Sequence, residues 1–284
     1  MKLTNKQGLP QPLVEAVRND SYGRGDADIS VTQLLAPPRQ VALIHEHADE
    51  IEEDAADRIY SLLGQAVHTI LERANKTGIA ERRLSITCEG WKISGGMDAY
   101  YTDTGLLQDY KVSTAYAFKG GRAKPEHEAQ LNVYAEILRQ HGEKVQALAI
   151  VGILRDFSKL EAARDPEYPQ SQVVVIPVPL WTQEHTQKYV RERVLLHQAA
   201  RKELPLCSAE DRWAKPDIYA VMKQGKDRAE KLYESERDAQ EHAASKPGLY
   251  VVKRPGVSTR CSYYCGASKF CTQFQLINGV KETA

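Results

Sequence analysis

The residues best suited to chemistry lie between Gly95 and Lys111, in the run GGMDAYYTDTGLLQDYK. Asp98 and Asp109 have ten residues between them, and Lys111 follows two positions after the second. Met97 to Thr102 reads as one strand, Asp103-Thr104-Gly105 as a turn, and Leu106 to Val112 as the returning strand. Residues two apart in a strand share a face, so Asp109 and Lys111 point together and Tyr110 points away. If Asp98 closes against that face, two carboxylates and an ammonium meet. Carboxylate oxygens are the hard ligands that Mg²⁺ or Mn²⁺ prefers. A lysine beside such an ion can orient a water or neutralise charge building on a phosphate. Taken alone, the same residues also fit an ordinary surface hairpin.

Two helices must position this hairpin. Residues 55 to 77 carry Ile59, Leu62, Leu63, Ala66, Ile70 and Ala74 at steps of three and four, with Gly78 as the stop. His68 lies one turn after Gly64, whose missing side chain is expected to let another backbone approach the histidine. Residues 125 to 141 form the second helix: Pro125 suits its first turn, and Leu131, Tyr134, Ala135 and Leu138 mark a buried stripe. Gln130 and Tyr134, four apart, share a face.

Four motifs therefore stand in order: GQAVH ending at His68, GGMD ending at Asp98, DYK from Asp109 to Lys111, and QLNVY from Gln130 to Tyr134. This set resembles the PD-(D/E)xK nuclease superfamily, and within it the RecB-like nucleases, over roughly residues 28 to 154. The resemblance implies an α/β fold with a restriction-endonuclease-like mixed central sheet flanked by helices. It implies a Mg²⁺- or Mn²⁺-dependent deoxyribonuclease in which His68, Asp98, Asp109 and the Tyr110 carbonyl hold the metal. Lys111 would act on the water, and Gln130 and Tyr134 would face the site. It points to an exonuclease processing DNA ends, as in stand-alone relatives that serve CRISPR adaptation or phage recombination beside a protein partner. A structure-selective or nicking endonuclease, and a silent DNA-binding or assembly partner, are the alternatives.

Composition is compatible with this. The chain has 284 residues, 42% of them apolar, and a formal net charge of zero, so a basic surface must come from sorting charge by region. Residues 46 to 57 are acidic, whereas 112 to 125 hold Lys119, Arg122 and Lys124 without an acid. That loop is either a basic border of the site or simply solvated. No apolar run is long enough to span a membrane, and the first residues lack the apolar core of a signal peptide. With an odd number of cysteines, five, the expectation is a cytoplasmic protein without a disulfide framework.

Along the rest of the chain, residues 1 to 27 read as a partly ordered arm and 28 to 204 as the nuclease core. Ser30 caps a short helix that Pro37-Pro38 ends. His45 and His47 fit a solvated face, and Arg82–Cys88 and Trp91–Ser94 fit short strands, with Cys88 a buried thiol. Val145 to Leu154 is a strand buried on both faces, 156 to 171 a charged loop, Val173 to Val178 a strand, and 182 to 203 a covering helix. Residues 205 to 284 form a cysteine-rich subdomain, with a helix expected from Glu236 to Ala244. Cys261, Cys265 and Cys271 fall within eleven residues and, with Cys207, offer four thiolates. Several RecB-like nucleases close their domain on a 4Fe–4S cluster with one cysteine plus three near the C-terminus, so the resemblance implies such a staple. Cys207 follows the core rather than preceding it, and the first pair is C-x₃-C, so Zn²⁺ is the competing occupant.

Overall fold

The computed structural model describes residues 2–19, 25–75 and 79–279. It divides into two compact units: residues 1–42 with 48–204, and residues 43–47 with 205–284.

The first unit opens where a partly ordered arm is expected. Strand β1 (Lys2–Thr4) and helix α1 (Gln11–Arg18) form there instead, because α1 turns Val14 and Val17 inward. Strand β2 (Ile29–Ser30) leads to α2 (Val31–Leu35), where Ser30 and Gln33 make a reciprocal capping box. Helix α3 (Pro38–Glu46) follows, then β3 (Glu52–Asp54), which pairs parallel with β1. Helix α4 (Ile59–Ala74) is preceded by a short 3₁₀ turn, and the expected stop at Gly78 lies outside the described residues.

Strands β4 (Ile79–Cys88) and β5 (Trp91–Tyr101) form a long antiparallel hairpin. Its tight turn places Glu89 at φ 48° and Gly90 at φ 76°, the paired left-handed residues that match strand twist. The short strands expected there are thus one continuous ribbon, and Cys88 is half-buried against the core at its end. Strand β6 (Leu106–Ser113) returns antiparallel to β5, pairing Ala99 with Gln108, Tyr100 with Leu107 and Tyr101 with Leu106.

Helix α5 (Pro125–Gln140) then crosses over to β7 (Ala147–Leu154), which runs parallel to β6 over the whole length of both. The expected loop at 156 to 171 contains a short helix, α6 (Lys159–Arg164), capped by Ser158. Strand β8 (Val173–Val178) closes the sheet antiparallel to β7, and α7 (Gln183–Ala200) follows. Strand order is β2-β5-β6-β7-β8, with β4 on β5: a mixed sheet flanked by helices, consistent with a restriction-endonuclease-like fold.

Helix α5 is the central element. Its burial extends well beyond the expected stripe: Leu131, Val133, Ala135, Ile137 and Leu138 are all enclosed, and so are Asn132 and Glu136. Each of the buried Leu, Val and Ile side chains contributes roughly 1.5–3 kcal/mol. The polar pair is bonded, except that Glu136 Oε2 is enclosed without a partner. Asn132 donates to the carbonyls of Glu128 and Pro179 and accepts from Trp181 N–H, while Glu136 accepts from Gln140 and Gln187.

In the second unit, β9 (Ile218–Lys223), β10 (Lys231–Tyr233) and β11 (Leu249–Arg254) make an antiparallel sheet in the order β10-β9-β11. Helix α8 (Glu236–Ala244), as expected from the sequence, packs on it. Helices α9 (Thr259–Tyr263) and α10 (Thr272–Ile277) bracket the cysteine run: Cys261 lies in α9, Cys265 between the two, and Cys271 at the N-terminal cap of α10. His47 is not a bare solvated ring: it stacks on Phe270 with centroids 3.9 Å apart.

Candidate active site

The site forms where the sheet splits. β4 occupies one edge of β5 along its length. The other edge is shared: β2 holds Ile93 and Ser94, β6 holds Ala99 to Tyr101, and residues 95 to 98 lie between. Two features fill this opening.

The first is Asp98. Its Oδ2 accepts the Tyr110 backbone N–H at 2.6 Å, taking the place of a ladder carbonyl where the strands diverge. Its Oδ1 lies 3.3 Å from Nδ1 of His68, whose Nε2 is 3.1 Å from the Tyr110 carbonyl oxygen. Helix α4 has no fully buried residue, so it lies on the surface of the unit with His68 directed at the strand pair. Both ring nitrogens of His68 thus lie beside oxygen atoms, and the tautomer sets which of them donates.

The second is a relay along α5. Asp109 is 3% exposed, and its Oδ2 lies 2.6 Å from the Lys111 ammonium, close but off the axis of a good hydrogen bond. Lys111 donates to Gln130 Oε1 at 3.1 Å, and Gln130 Nε2 donates to the Tyr134 hydroxyl at 2.8 Å. Burial raises the pKa of Asp109; the Lys111 charge opposes this, and the Asp98 carboxylate adds to it. The two acids therefore feel each other, although Asp98 contacts His68 and the Tyr110 N–H while Asp109 is ion-paired with Lys111.

Gly95 explains why Tyr134 reaches the sheet. A side-chain carbon at Gly95 would lie 2.7 and 2.8 Å from two Tyr134 ring atoms, so only hydrogen fits. Gly64 has no such role: a carbon added there meets nothing within 4 Å, which corrects the expected backbone approach to His68. The reason is that α4 turns this residue away from any close neighbour.

Sequence reasoning missed His127. It lies in the first turn of α5, three residues before Gln130, a spacing that could have flagged it. Its Nδ1 is buried without a hydrogen-bond partner. Burial, with the Lys111 charge assisting, lowers its pKa to about 4. The expected basic border is partly cancelled, since Lys119 is 2.7 Å from Asp165 and 3.9 Å from Glu167; Arg122 and Lys124 are exposed.

Among the described residues, no three His, Cys, Asp or Glu side chains are already gathered as a metal cage. The donor chemistry nevertheless suits a hard divalent ion. Two carboxylates, one of them desolvated, an imidazole and a backbone carbonyl stand within two linked sets of contacts.

No described cysteine of the second unit is in a disulfide. Burial raises the pKa of Cys265 and of Cys261, and each feels the Cys271 thiol. Gln273 straps the Cys207 loop to α10 by accepting Cys207 N–H and donating to its carbonyl, both at 2.8 Å.

No family model matches the chain, and no curated protein does. Among solved structures it is similar to SSO0001, with a TM-score of 0.43 and 20% identity over 65% of this chain and 84% of that one. It is also similar to a proposed exonuclease from Eubacterium rectale, with a TM-score of 0.33 and 16% identity over 51% of this chain and 55% of that one.

Proposed function

We propose that the chain is a metal-dependent DNA nuclease of the PD-(D/E)xK type, an exonuclease acting on DNA ends. The observation that carries this reading is the buried Asp109–Lys111 pair, backed by Gln130 and Tyr134, beside the convergence of His68, Asp98 and the Tyr110 carbonyl. A buried carboxylate with a second carboxylate near it is unfavourable without cations, and a structural role alone would not need both.

His68, Asp98, Asp109 and the Tyr110 carbonyl are the groups that would hold Mg²⁺ or Mn²⁺. Such an ion, when bound, lowers the pKa of a coordinated water and stabilises charge on phosphoryl oxygens. Asp109 and Gln130 hold the Lys111 ammonium from two sides, which would keep its charge in place beside a water or a non-bridging phosphate oxygen. Tyr134 holds the Gln130 amide in the orientation that offers Oε1 to Lys111. Recognition would rest on backbone contacts, as the sequence carries no base-reading motif.

End-labelled single-stranded and duplex DNA, with Mg²⁺, Mn²⁺ or EDTA, tests the reading. Wild type should degrade linear DNA only with a divalent ion, and Asp109→Asn should lose activity by roughly a hundredfold or more. Undiminished metal-dependent cutting by Asp109→Asn would end the assignment. Covalently closed circles in the same assay separate end-dependent from internal cleavage.

For the second unit, the proposal is that Cys207, Cys261, Cys265 and Cys271 hold a 4Fe–4S cluster, with Zn²⁺ as the competing occupant. Its support is the thiolate-only donor set and the Gln273 strap on the Cys207 loop.

A further inference from the structure

Apart from Tyr250 on β11, three large aromatic side chains of the second unit are exposed among the described residues and lie on two neighbouring segments: Trp213 is 44% exposed, Tyr263 74% and Tyr264 66%. They sit on a braced scaffold. Ala214 bridges to Ser258, Lys215 N–H donates to the Val257 carbonyl, Arg260 N–H donates to the Arg212 carbonyl, and the Arg212 guanidinium donates to Ser258 Oγ at 2.7 Å. The segments 210–215 and 257–264 are thus zipped together, so the backbone that carries the rings is held. Trp213 has φ 49°, a left-handed conformation costly for a bulky residue and retained mainly where surroundings or function demand it.

Two of the rings, Trp213 and Tyr264, are ordered against one another, and Trp213 also against charge. Trp213 and Tyr264 meet edge to face with centroids 5.4 Å apart, and the Arg260 guanidinium lies 4.3 Å over the Trp213 ring. From Arg254 to Gly279 the chain contains Arg254, Arg260 and Lys269 and no acid. The nearest acids in sequence to Trp213 are Glu210 and Asp211, and Asp211 is engaged by Ser208 N–H at 2.9 Å. Aromatic faces interleaved with cations match a polyanion that carries its own flat rings. They match an apolar peptide poorly, because a guanidinium occupies the best apolar surface.

We propose that Trp213, Tyr263 and Tyr264, with Arg260, form a stacking platform for unpaired bases of single-stranded DNA. The choice of DNA rests on the nuclease reading; the stacking chemistry does not. Bases in a duplex hide their faces, so the platform discriminates by strandedness and tolerates any sequence.

The test uses full-length protein carrying Asp109→Asn, so that DNA survives the titration. Oligo(dT) should quench tryptophan fluorescence, and the quench should vanish in Trp213→Phe, which keeps an aromatic face and most of the affinity. Trp213→Ala/Tyr264→Ala should weaken oligo(dT) binding by roughly tenfold or more, the scale of losing one or two stacked bases, and leave binding of the blunt duplex unchanged. Should that variant fold poorly, Tyr263→Ala/Tyr264→Ala, which changes exposed rings only, replaces it with the same expectation. Unaltered oligo(dT) affinity in a well-folded variant overturns the platform, as does quenching that survives Trp213→Phe. Equal losses for single strand and duplex reduce the patch to general electrostatics, and binding of an acidic peptide in place of oligo(dT) makes it a protein contact; either outcome overturns the proposal. Cleavage by wild type with no platform effect sinks this inference alone. Platform-dependent binding without cleavage by wild type sinks the nuclease reading alone.

Discussion

At the scale of single residues, Asp109 and Lys111 are coupled through burial, and their removal should have opposite consequences for stability. Asp109 is enclosed, its pKa is raised first by desolvation, and Lys111 is the cation that offsets this. A folded-state pKa above the unfolded value means the ionised side chain opposes folding as pH rises through that pKa. Asp109→Asn therefore removes a charge the fold resists, whereas Lys111→Ala strands that charge without its partner. Breaking a buried pair from one side costs about 3–5 kcal/mol where burial is complete, and less here because Lys111 reaches solvent. Lys111→Ala should accordingly melt several degrees below wild type in EDTA, and Asp109→Asn at or above it, although both should be inactive by roughly a hundredfold. Calorimetry on the metal-free pair checks this; equal destabilisation by both would show that the carboxylate is held by contacts other than Lys111.

At the scale of elements, the contact between β5 and α5 sets the position of Lys111's support. Gly95 lies in the opening between β2 and β6 on the edge of β5, and the Tyr134 ring fills the space a side chain would take. Gly95→Ala should push Tyr134 outward, at about 1–3 kcal/mol for overpacking, and shift the Gln130 amide that Tyr134 anchors. The expected result is a lower melting temperature together with a fall in kcat larger than any change in KM, measured on end-labelled DNA. Activity equal to wild type in a destabilised Gly95→Ala protein would separate Tyr134 from the site. This contact shows the reach of the sequence. Periodic patterns revealed the hairpin, α4 and α5, because side-chain direction follows from local geometry, and a near-continuous apolar run revealed β7. The lateral fit of Gly95 to Tyr134 is a tertiary contact that leaves no periodic trace. For the same reason the role expected of Gly64 was wrong and the all-round burial of α5, which depends on bonded Asn132 and Glu136, was not visible. α6 was missed because only a Ser158 cap marks so short a helix within a charged stretch.

At the scale of the whole molecule, the two units rest on different chemistry, and each has its own assay. Cys207 and the late trio are separated by more than fifty residues in sequence, so a shared metal would close a long loop and add its binding free energy to folding. Cys265→Ser should then reduce solubility and stability more than Cys88→Ser, and anaerobically purified wild type should contain iron or zinc stoichiometrically; protein with neither metal removes the staple. The first unit depends instead on neutral buried histidine. The carbonyls at the end of α2 are capped from α7: Arg193 donates to the carbonyls of Leu34 and Ala36, and His197 Nε2 lies 3.0 Å from the Leu34 carbonyl. His197 is enclosed, and its pKa falls to about 4 from burial first, then from the charges of Arg193 and Arg201. Its folded-state pKa lies below the unfolded value of about 6.5. The stability that comes from keeping it neutral is therefore complete above about pH 6.5 and is lost as pH falls toward 4, up to about 3 kcal/mol. His197→Gln keeps a donor for Leu34 but cannot take up the proton. Its melting temperature should decline less steeply than that of wild type between about pH 6.5 and 4. Parallel curves for the two proteins would mean that His197 is not the group whose protonation loosens the joint between α2 and α7.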